Sequence, residues 1–166
     1  MNKLRSASYE EFCADFSLSI PEKFNFGFDV LDAMARKDPD ALCIRHVDDA
    51  MVRREYSFRD LSEASSRVAA ALKAKGIRKG DRVLLILYRR IEWWQTLLGL
   101  HKLGAVAIPA PAQLTPHDIE FRCNKARAKA VITDSSVVAR VEEARPLCPD
   151  LALCVQVGEG ALPSGW

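Results

Sequence analysis

The stretch "EWWQTLLGLHKLGAVAIPA", residues 92–110, decides the fold class. Its apolar residues recur at helical spacing as far as Leu103, Gly104 ends the helix, and Ala105–Ile108 form a short apolar strand. Just upstream, Val83–Leu87 is an unbroken apolar run, which is typical of a strand buried on both faces of a parallel sheet. Strand, helix and strand in this order predict a right-handed βαβ unit.

The same alternation continues to residue 157. Thr115, Pro116 and Asp118 supply the cap and first turn of a helix that reaches about Arg127, and "AKAVIT", residues 128–133, is the next strand. A helix over residues 135–145 then leads to the strand "LALCVQV", residues 151–157. The chain is therefore predicted to be an α/β protein whose mostly parallel sheet carries helices on both faces.

Other elements precede this core. "ALCIRHVDDAMVRREYS", residues 41–57, predicts an antiparallel hairpin that turns at Asp48 and Asp49. Ser57 and Asp60 have the spacing of a capping box at the start of the following helix. "FNFGFDVLDAMARKDP", residues 24–39, predicts a helix that packs one face on a sheet.

The predicted organisation has three parts. A helix around residues 9–16 and a linker occupy residues 1–24, the α/β unit occupies residues 25–157, and residues 158–166 form a tail.

Composition excludes several classes of protein. With 166 residues, 49% hydrophobic and 28% charged, the chain matches an ordinary globular domain, and its net charge of +2 makes nucleic acid an unfavoured partner. The five cysteines are odd in number and never form a C-x-x-C pair, so neither a zinc site nor a disulfide framework is expected. No apolar segment approaches the ~20 residues needed to span a bilayer, and we predict a cytoplasmic location.

The adjacent tryptophans Trp93 and Trp94 allow two interpretations. On a helix they point about 100° apart, so together with neighbouring leucines they form a broad apolar arc. Such an arc suits a helix between a sheet and a second layer, and it also suits a platform for a ligand. Core packing is the favoured interpretation.

The residues themselves carry no self-contained catalytic centre. The three histidines lack the spacing of metal ligands, and no Ser-His-Asp or Cys-His arrangement follows from the sequence. "VGEGALPSG", residues 157–165, has the first two glycines of a dinucleotide fingerprint, but Pro163 occupies the place of the third. We therefore assign no catalytic and no metal-binding residue.

Two longer segments resemble a known family. "YSFRDL", residues 56–61, and "LHKLGAVAIPA", residues 100–110, resemble the first two core motifs of AMP-forming acyl-CoA synthetases, in the adenylate-forming superfamily that includes luciferases and peptide-synthetase adenylation domains. "FNFGFDVLD", "GDRV", "EWW" and "AQLTPHDI" together resemble its medium-chain fatty acyl branch. The resemblance covers about residues 22–145.

The resemblance implies a reaction and its cofactors. In this family a carboxylic acid attacks ATP to give an acyl-adenylate, CoA then displaces AMP, and Mg²⁺ is required. The family's phosphate loop, acidic residues and mobile lysine have no counterpart in these residues. We therefore expect an N-terminal portion of the enzyme that is inactive alone, binds none of these cofactors tightly, and associates with itself through uncovered surfaces. The alternative is a free-standing, non-catalytic α/β module that binds a nucleotide or a protein.

The resemblance also implies a site for CoA. In relatives the loop after the second motif lies near the entry for the CoA nucleotide, and here that loop is "PAPAQLT", with Ala112 and Gln113 at its turn. Arginines in the helix after "VITD" meet CoA phosphate in relatives, which makes Arg140 the candidate here.

Overall fold

The computed structural model describes residues 8–17 and 21–166. The described part of the chain forms a four-stranded sheet, a separate two-stranded hairpin and the helices that connect the strands. In chain order they are α1 (Tyr9–Asp15), a π-helical turn (Gly27–Asp32), α2 (Ala33–Lys37), β1 (Leu42–Val47), β2 (Arg53–Ser57), α3 (Phe58–Ala74), β3 (Arg82–Ile86), α4 (Ile91–Leu103), β4 (Val106–Pro109), α5 (Pro116–Ala126), β5 (Ala130–Asp134), α6 (Ser135–Ala144), a 3₁₀ turn (Arg145–Leu147) and β6 (Leu153–Val157).

The four-stranded sheet is parallel throughout. Its strand order is β4-β3-β5-β6, so β3 lies between the two strands that follow it in the chain. Val83 of β3 is in register with Ala107 of β4 and with Ala130 of β5. The predicted α/β fold class is confirmed.

Helices cover both faces of this sheet. On one face Leu84 and Ile86 of β3 belong to a cluster with Ile119 of α5 and Val137 of α6. On the other face Val83 and Leu85 join a cluster that contains residues of α3 and α4, among them Leu72 and Leu100. Because successive residues of a strand point to opposite faces, this division accounts for the unbroken apolar run.

The hairpin and the helix caps follow the predictions. Strands β1 and β2 pair antiparallel. Ser57 and Asp60 form a capping box: the Asp60 N–H donates to Ser57 Oγ over 3.2 Å, and the Ser57 N–H donates to Asp60 Oδ2 over 2.8 Å. Thr115 and Asp118 repeat this arrangement at α5.

Gly104 ends α4 at a φ of 72°, in the left-handed region that glycine adopts readily.

The segment before the hairpin differs from its prediction. It begins as a π-helical turn, and its buried Leu31 packs with Leu61 of α3 and Leu98 of α4, not on the four-stranded sheet. A Cβ atom on Gly27 would lie 2.6 Å from Cγ of Lys102, so the close approach to α4 requires glycine there. Ile44 and Tyr56 of the two-stranded hairpin sheet also pack against this cluster, so the sheet that the segment meets is the hairpin, while α3 and α4 supply the buried partners of Leu31.

A buried ion pair fixes the π-helical turn to both helices. Lys102 Nζ lies 2.6 Å from Asp32 Oδ1 and also donates to the Ser62 carbonyl and to Ser66 Oγ. The Lys102 side chain is only 2% exposed. Its ammonium group therefore has three acceptors in place of water, which is the condition under which a buried charge is tolerated.

Replacement of Lys102 by methionine tests this arrangement. Because Asp32 would lose its cation in a largely buried place, we expect Lys102→Met to lower the free energy of unfolding by about 3 kcal/mol. Urea denaturation measures the change. The exposed Lys125 of α5 provides the control, since Lys125→Met should stay within about 0.5 kcal/mol of the parent. Equal effects of the two substitutions would contradict a structural role for the ion pair.

All five cysteines are free thiols in the described residues, but their surroundings differ. Cys13 is exposed, whereas Cys123, Cys148 and Cys154 are buried. Burial raises the pKa of Cys123 to about 12 and that of Cys154 to about 11. Because the thiolate is the reactive form, these thiols are protonated as well as inaccessible at neutral pH.

Thiol reactivity should report this difference. At pH 8 we expect Cys13 to react with Ellman's reagent in the native protein, partly buried Cys43 to react more slowly, and the three buried thiols to react only after unfolding. Cys13→Ser should remove the fast phase. Native-state reaction of a buried thiol at the rate of Cys13 would contradict the packing described above.

No helix among residues 8–17 and 21–166 is long and apolar enough to cross a membrane.

Candidate functional site

A crevice opens where the parallel strands end. The chain leaves β3 for α4 on one face of the sheet and leaves β5 for α6 on the opposite face, so the loops after these adjacent strands diverge. In open α/β sheets ligands bind at such a point. Two neighbouring cavities of about 390 and 580 Å³ lie here, and we call them together the switch-point cleft. Both cavities are lined by His46, Tyr88, Arg89 and Arg90.

Hydrogen bonds hold the loop after β3 from two sides. The Tyr88 N–H donates to Asp134 Oδ2 over 3.3 Å, which joins this loop to the end of β5. His46 Nε2 of the hairpin lies 3.1 Å from the carbonyl oxygen of Arg89. The segment that carries the two arginines is therefore anchored both to the sheet and to the hairpin.

Asp134 also caps α6. Its Oδ1 accepts hydrogen bonds from the Ser136 N–H over 3.0 Å and from Ser136 Oγ over 2.5 Å. The residue is only 5% exposed. Its carboxylate therefore accepts hydrogen bonds from the N-terminus of α6 and from the Tyr88 N–H, and its charge adds to the effect of Glu92 in raising the pKa of Arg90.

Arg90 spans the cleft toward the loop after β6. Its guanidinium makes two hydrogen bonds to the Glu92 carboxylate, at 2.9 and 3.1 Å. This pairing raises the pKa of Arg90 and lowers that of Glu92. A Cβ atom on Gly158, whose φ is 84°, would lie 2.9 Å from Arg90 Nη2. Glycine at 158 therefore allows both the backbone turn and the approach of the guanidinium.

The charged groups of the cleft are mostly paired. Arg54 Nη1 lies 3.1 Å from Asp48 Oδ2, and the pKa of Asp48 is lowered first by the Val52 N–H and also by the Arg54 charge. Arg90 is paired with Glu92. In contrast, the exposed Arg89 guanidinium has no ion-pair partner within residues 8–17 and 21–166. Within these described segments, Arg89 is thus the cation of the cleft without an ion-pair partner, although the three carboxylates of Asp48, Glu92 and Asp134 balance the three arginines in formal charge.

The two tryptophans have different roles. Trp93 is partly buried and packs against the cluster beneath α4, as the core interpretation predicts. Trp94 is 46% exposed, so core packing was the wrong interpretation for that residue. The rings form an edge-to-face pair with centroids 4.7 Å apart, and both line the smaller cavity of the switch-point cleft.

The residues predicted to contact CoA lie at the same edge of the sheet. Arg140 Nη1 donates to the Leu114 carbonyl over 2.7 Å and Nη2 donates to the Ser136 carbonyl over 3.2 Å, so the structure joins Arg140 to the loop of Ala112 and Gln113. Gln113 is exposed. The Ala112 side chain is buried in the core, which leaves only the backbone of that residue for a ligand. Their contact with CoA stays a prediction.

The sequence analysis did not assign Arg89, Arg90 or Asp134 to a site. The signal that could have identified them is their position in the chain: Asp134 is the last residue of β5, and Arg89 and Arg90 lie in the loop between β3 and α4. Across the described segments, 8–17 and 21–166, no group of three or more His, Cys, Asp or Glu residues is arranged to hold a metal ion.

With the geometry established, comparison with known proteins defines the family. Residues 31–165 match the family described as AMP-binding enzyme, and the chain belongs to that family. Human "Acyl-coenzyme A synthetase ACSM5, mitochondrial" is 35% identical over 153 residues, which are 89% of this chain and 26% of that protein. "Acyl-coenzyme A synthetase ACSM3, mitochondrial" of Pongo abelii is 34% identical over 166 residues, with 96% and 28% covered. The resemblance to acyl-CoA synthetases is thus confirmed, and the chain spans about a quarter of the length of these relatives.

Solved structures agree. The anthranilate CoA ligase AuaEII in complex with anthranoyl-AMP superposes with a TM-score of 0.75 at 28% identity, over 83% of this chain and 26% of that chain. The Brucella canis acyl-CoA synthetase superposes with a TM-score of 0.73 at 28% identity, over 86% and 26% of the two chains.

Asp134 provides a test of the site's framework. We expect Asp134→Ala to lower the free energy of unfolding by about 1 kcal/mol, because α6 loses its cap, and to accelerate amide exchange at Tyr88. Asp134→Asn separates the two roles: its single side-chain oxygen can cap α6, but its NH₂ group would then face the Tyr88 N–H, so stability should be largely kept while exchange at Tyr88 accelerates. Urea denaturation and hydrogen exchange measure the two effects. Unfolding free energies that are equally low for alanine and asparagine would contradict the capping role, and unchanged exchange at Tyr88 in both variants would contradict the hold on the loop.

Proposed function

We propose that this chain is the N-terminal portion of an acyl-CoA synthetase that activates a carboxylic acid with ATP and transfers the acyl group to CoA. The observation that carries the proposal is the match of residues 31–165 to the AMP-binding enzyme family, together with 35% identity to a human acyl-coenzyme A synthetase. The proposed substrate, a medium-chain fatty acid, rests on the resemblance of "FNFGFDVLD", "EWW" and "AQLTPHDI" to the medium-chain fatty acyl branch of the family.

The intact enzyme would use ATP, Mg²⁺ and CoA. Phosphoryl chemistry of this kind needs cations and preorganised donors that converge on the phosphates. We assign no ATP or Mg²⁺ ligand to this chain, and we propose that the chain alone does not catalyse adenylation. A free-standing nucleotide- or protein-binding module is the alternative, and no observation favours it over the enzyme.

The loop of Ala112 and Gln113 and the guanidinium of Arg140 suit the nucleotide part of CoA. Arg140 uses two of its five N–H donors on backbone carbonyls, which leaves donors and a full positive charge for a phosphate. The exposed Gln113 amide adds a donor and an acceptor beside them. The buried Ala112 would contribute only its backbone.

Two further proposals concern the location of the protein in the cell and its association with itself. A cytoplasmic location stays a prediction, and the relatives named above carry the word mitochondrial in their own names. Self-association also stays a prediction. It is supported by large apolar side chains that are exposed on the surface, among them Phe24, Phe26 and Phe28.

A chimera tests the proposed function. This chain replaces the matching region of human "Acyl-coenzyme A synthetase ACSM3, mitochondrial", with which it shares 34% identity over 166 residues. We expect the chimera to form acyl-CoA from a medium-chain acid, while the chain alone and the relative without that region show no ATP–pyrophosphate exchange. Turnover by the chain alone would contradict the proposed inactivity. A folded chimera with a cooperative thermal transition but no exchange would contradict the proposed function.

A further inference from the structure

The smaller cavity of the switch-point cleft is built from aromatic rings. Tyr88, Trp93 and Trp94 line it together with Leu87, all within residues 87–94, which comprise the loop after β3 and the first turn of α4. Tyr88 and Trp94 are each about half exposed, at 51% and 46%, so their rings are accessible from the cavity mouth. A volume of about 390 Å³ lies within the range of small-molecule sites.

The larger cavity supplies charge next to these rings. Arg54 is neutralised by Asp48 and Arg90 by Glu92. Asp134 is engaged by the start of α6. Among the described residues that line the cleft, these pairings leave Arg89 as the cation without a carboxylate partner, and Arg89 lines both cavities. The Arg89 guanidinium is therefore available to one negative group of a ligand, while the carboxylates nearby disfavour further negative charge.

The backbone at Arg89 is held in place before any ligand binds. His46 contacts the Arg89 carbonyl, and Asp134 accepts from the neighbouring Tyr88 N–H. Binding would therefore order little more than the Arg89 side chain, which keeps the entropic cost low. A guanidinium can also lie flat on an aromatic face, so the rings and the cation suit one compact ligand.

We propose that the switch-point cleft binds a small aromatic monoanion. Its ring lies in the cavity of Tyr88, Trp93 and Trp94, and its carboxylate or sulfonate group receives hydrogen bonds from Arg89. This site is separate from the loop of Ala112 and Gln113, and the inference does not depend on the proposed function.

Titration of the 166-residue chain with 2-naphthoate and with 2-naphthalenesulfonate tests the proposal. We expect both to bind, with chemical-shift changes at the indole N–H groups of Trp93 and Trp94 and no comparable change at Trp166. The uncharged 2-naphthalenemethanol should bind at least about tenfold more weakly, because it lacks the charge that Arg89 recognises. Binding of the carboxylate alone would also support the proposal and would restrict the ligand to carboxylates.

Substitutions locate the site. Arg89→Gln should weaken binding of 2-naphthoate by about tenfold or more, and Trp94→Leu should also weaken it. Both side chains are exposed enough for the fold to persist, which thermal denaturation checks. The controls are Arg122→Gln on the exposed face of α5 and Phe26→Ala in the neighbouring apolar groove, which shares Trp94 with the cleft. Neither should change the affinity, and because Trp94 borders both cavities it is Arg89→Gln that assigns the ligand to the cleft. No binding at about 1 mM ligand, equal binding of the alcohol, or loss through Phe26→Ala alone would overturn the proposal.

Discussion

Burial of β3 on both faces is the constraint on which the rest of this molecule depends. Its residues Val83, Leu84, Leu85 and Ile86 are all fully buried, and each such side chain stabilises the fold by roughly 2 kcal/mol relative to an exposed position. A strand of this kind requires helices above and below it. The chain meets the requirement when it sends α4 to one face and α5 and α6 to the other, and the same division opens the crevice at the carboxyl ends of β3 and β5.

The polar groups at that crevice are organised by the strands that end there. Asp134 completes β5, caps α6 and holds the Tyr88 N–H of the neighbouring loop. Arg90 takes Glu92 as its partner and lies against Gly158 of the loop after β6. The ends of β3, β5 and β6 are thus connected by contacts at one edge of the sheet. Arg140 adds the loop after β4 through its hydrogen bond to the Leu114 carbonyl. A ligand at this edge would meet groups that are already in place.

Local features of the fold were predictable from sequence, and distant pairings were not. A capping box depends on residues three apart, so Ser57 and Asp60 could be assigned directly. Asp32 and Lys102 are 70 positions apart, and the sequence around neither residue predicts their pairing. The π-helical turn was missed for the same reason, because it is held by Leu61 and Leu98 of other helices. For the candidate site, the family resemblance indicated the CoA loop and Arg140, whereas Arg89 required knowledge of the strand order.

The exposure of Trp94 at the cleft is related to the close packing of α4 against α3 further along the helix. A Cβ atom on Gly99 would lie 2.8 Å from Val68 Cγ1 and 2.9 Å from the Ser65 carbonyl, so α3 and α4 are in close contact there. That contact lies more than one turn beyond the tryptophans. Adjacent residues of a helix point about 100° apart, and with α3 engaged at Gly99 only Trp93 reaches the core beneath the helix. The second indole is consequently left at the cleft, beside the arginine that has no partner among the described residues.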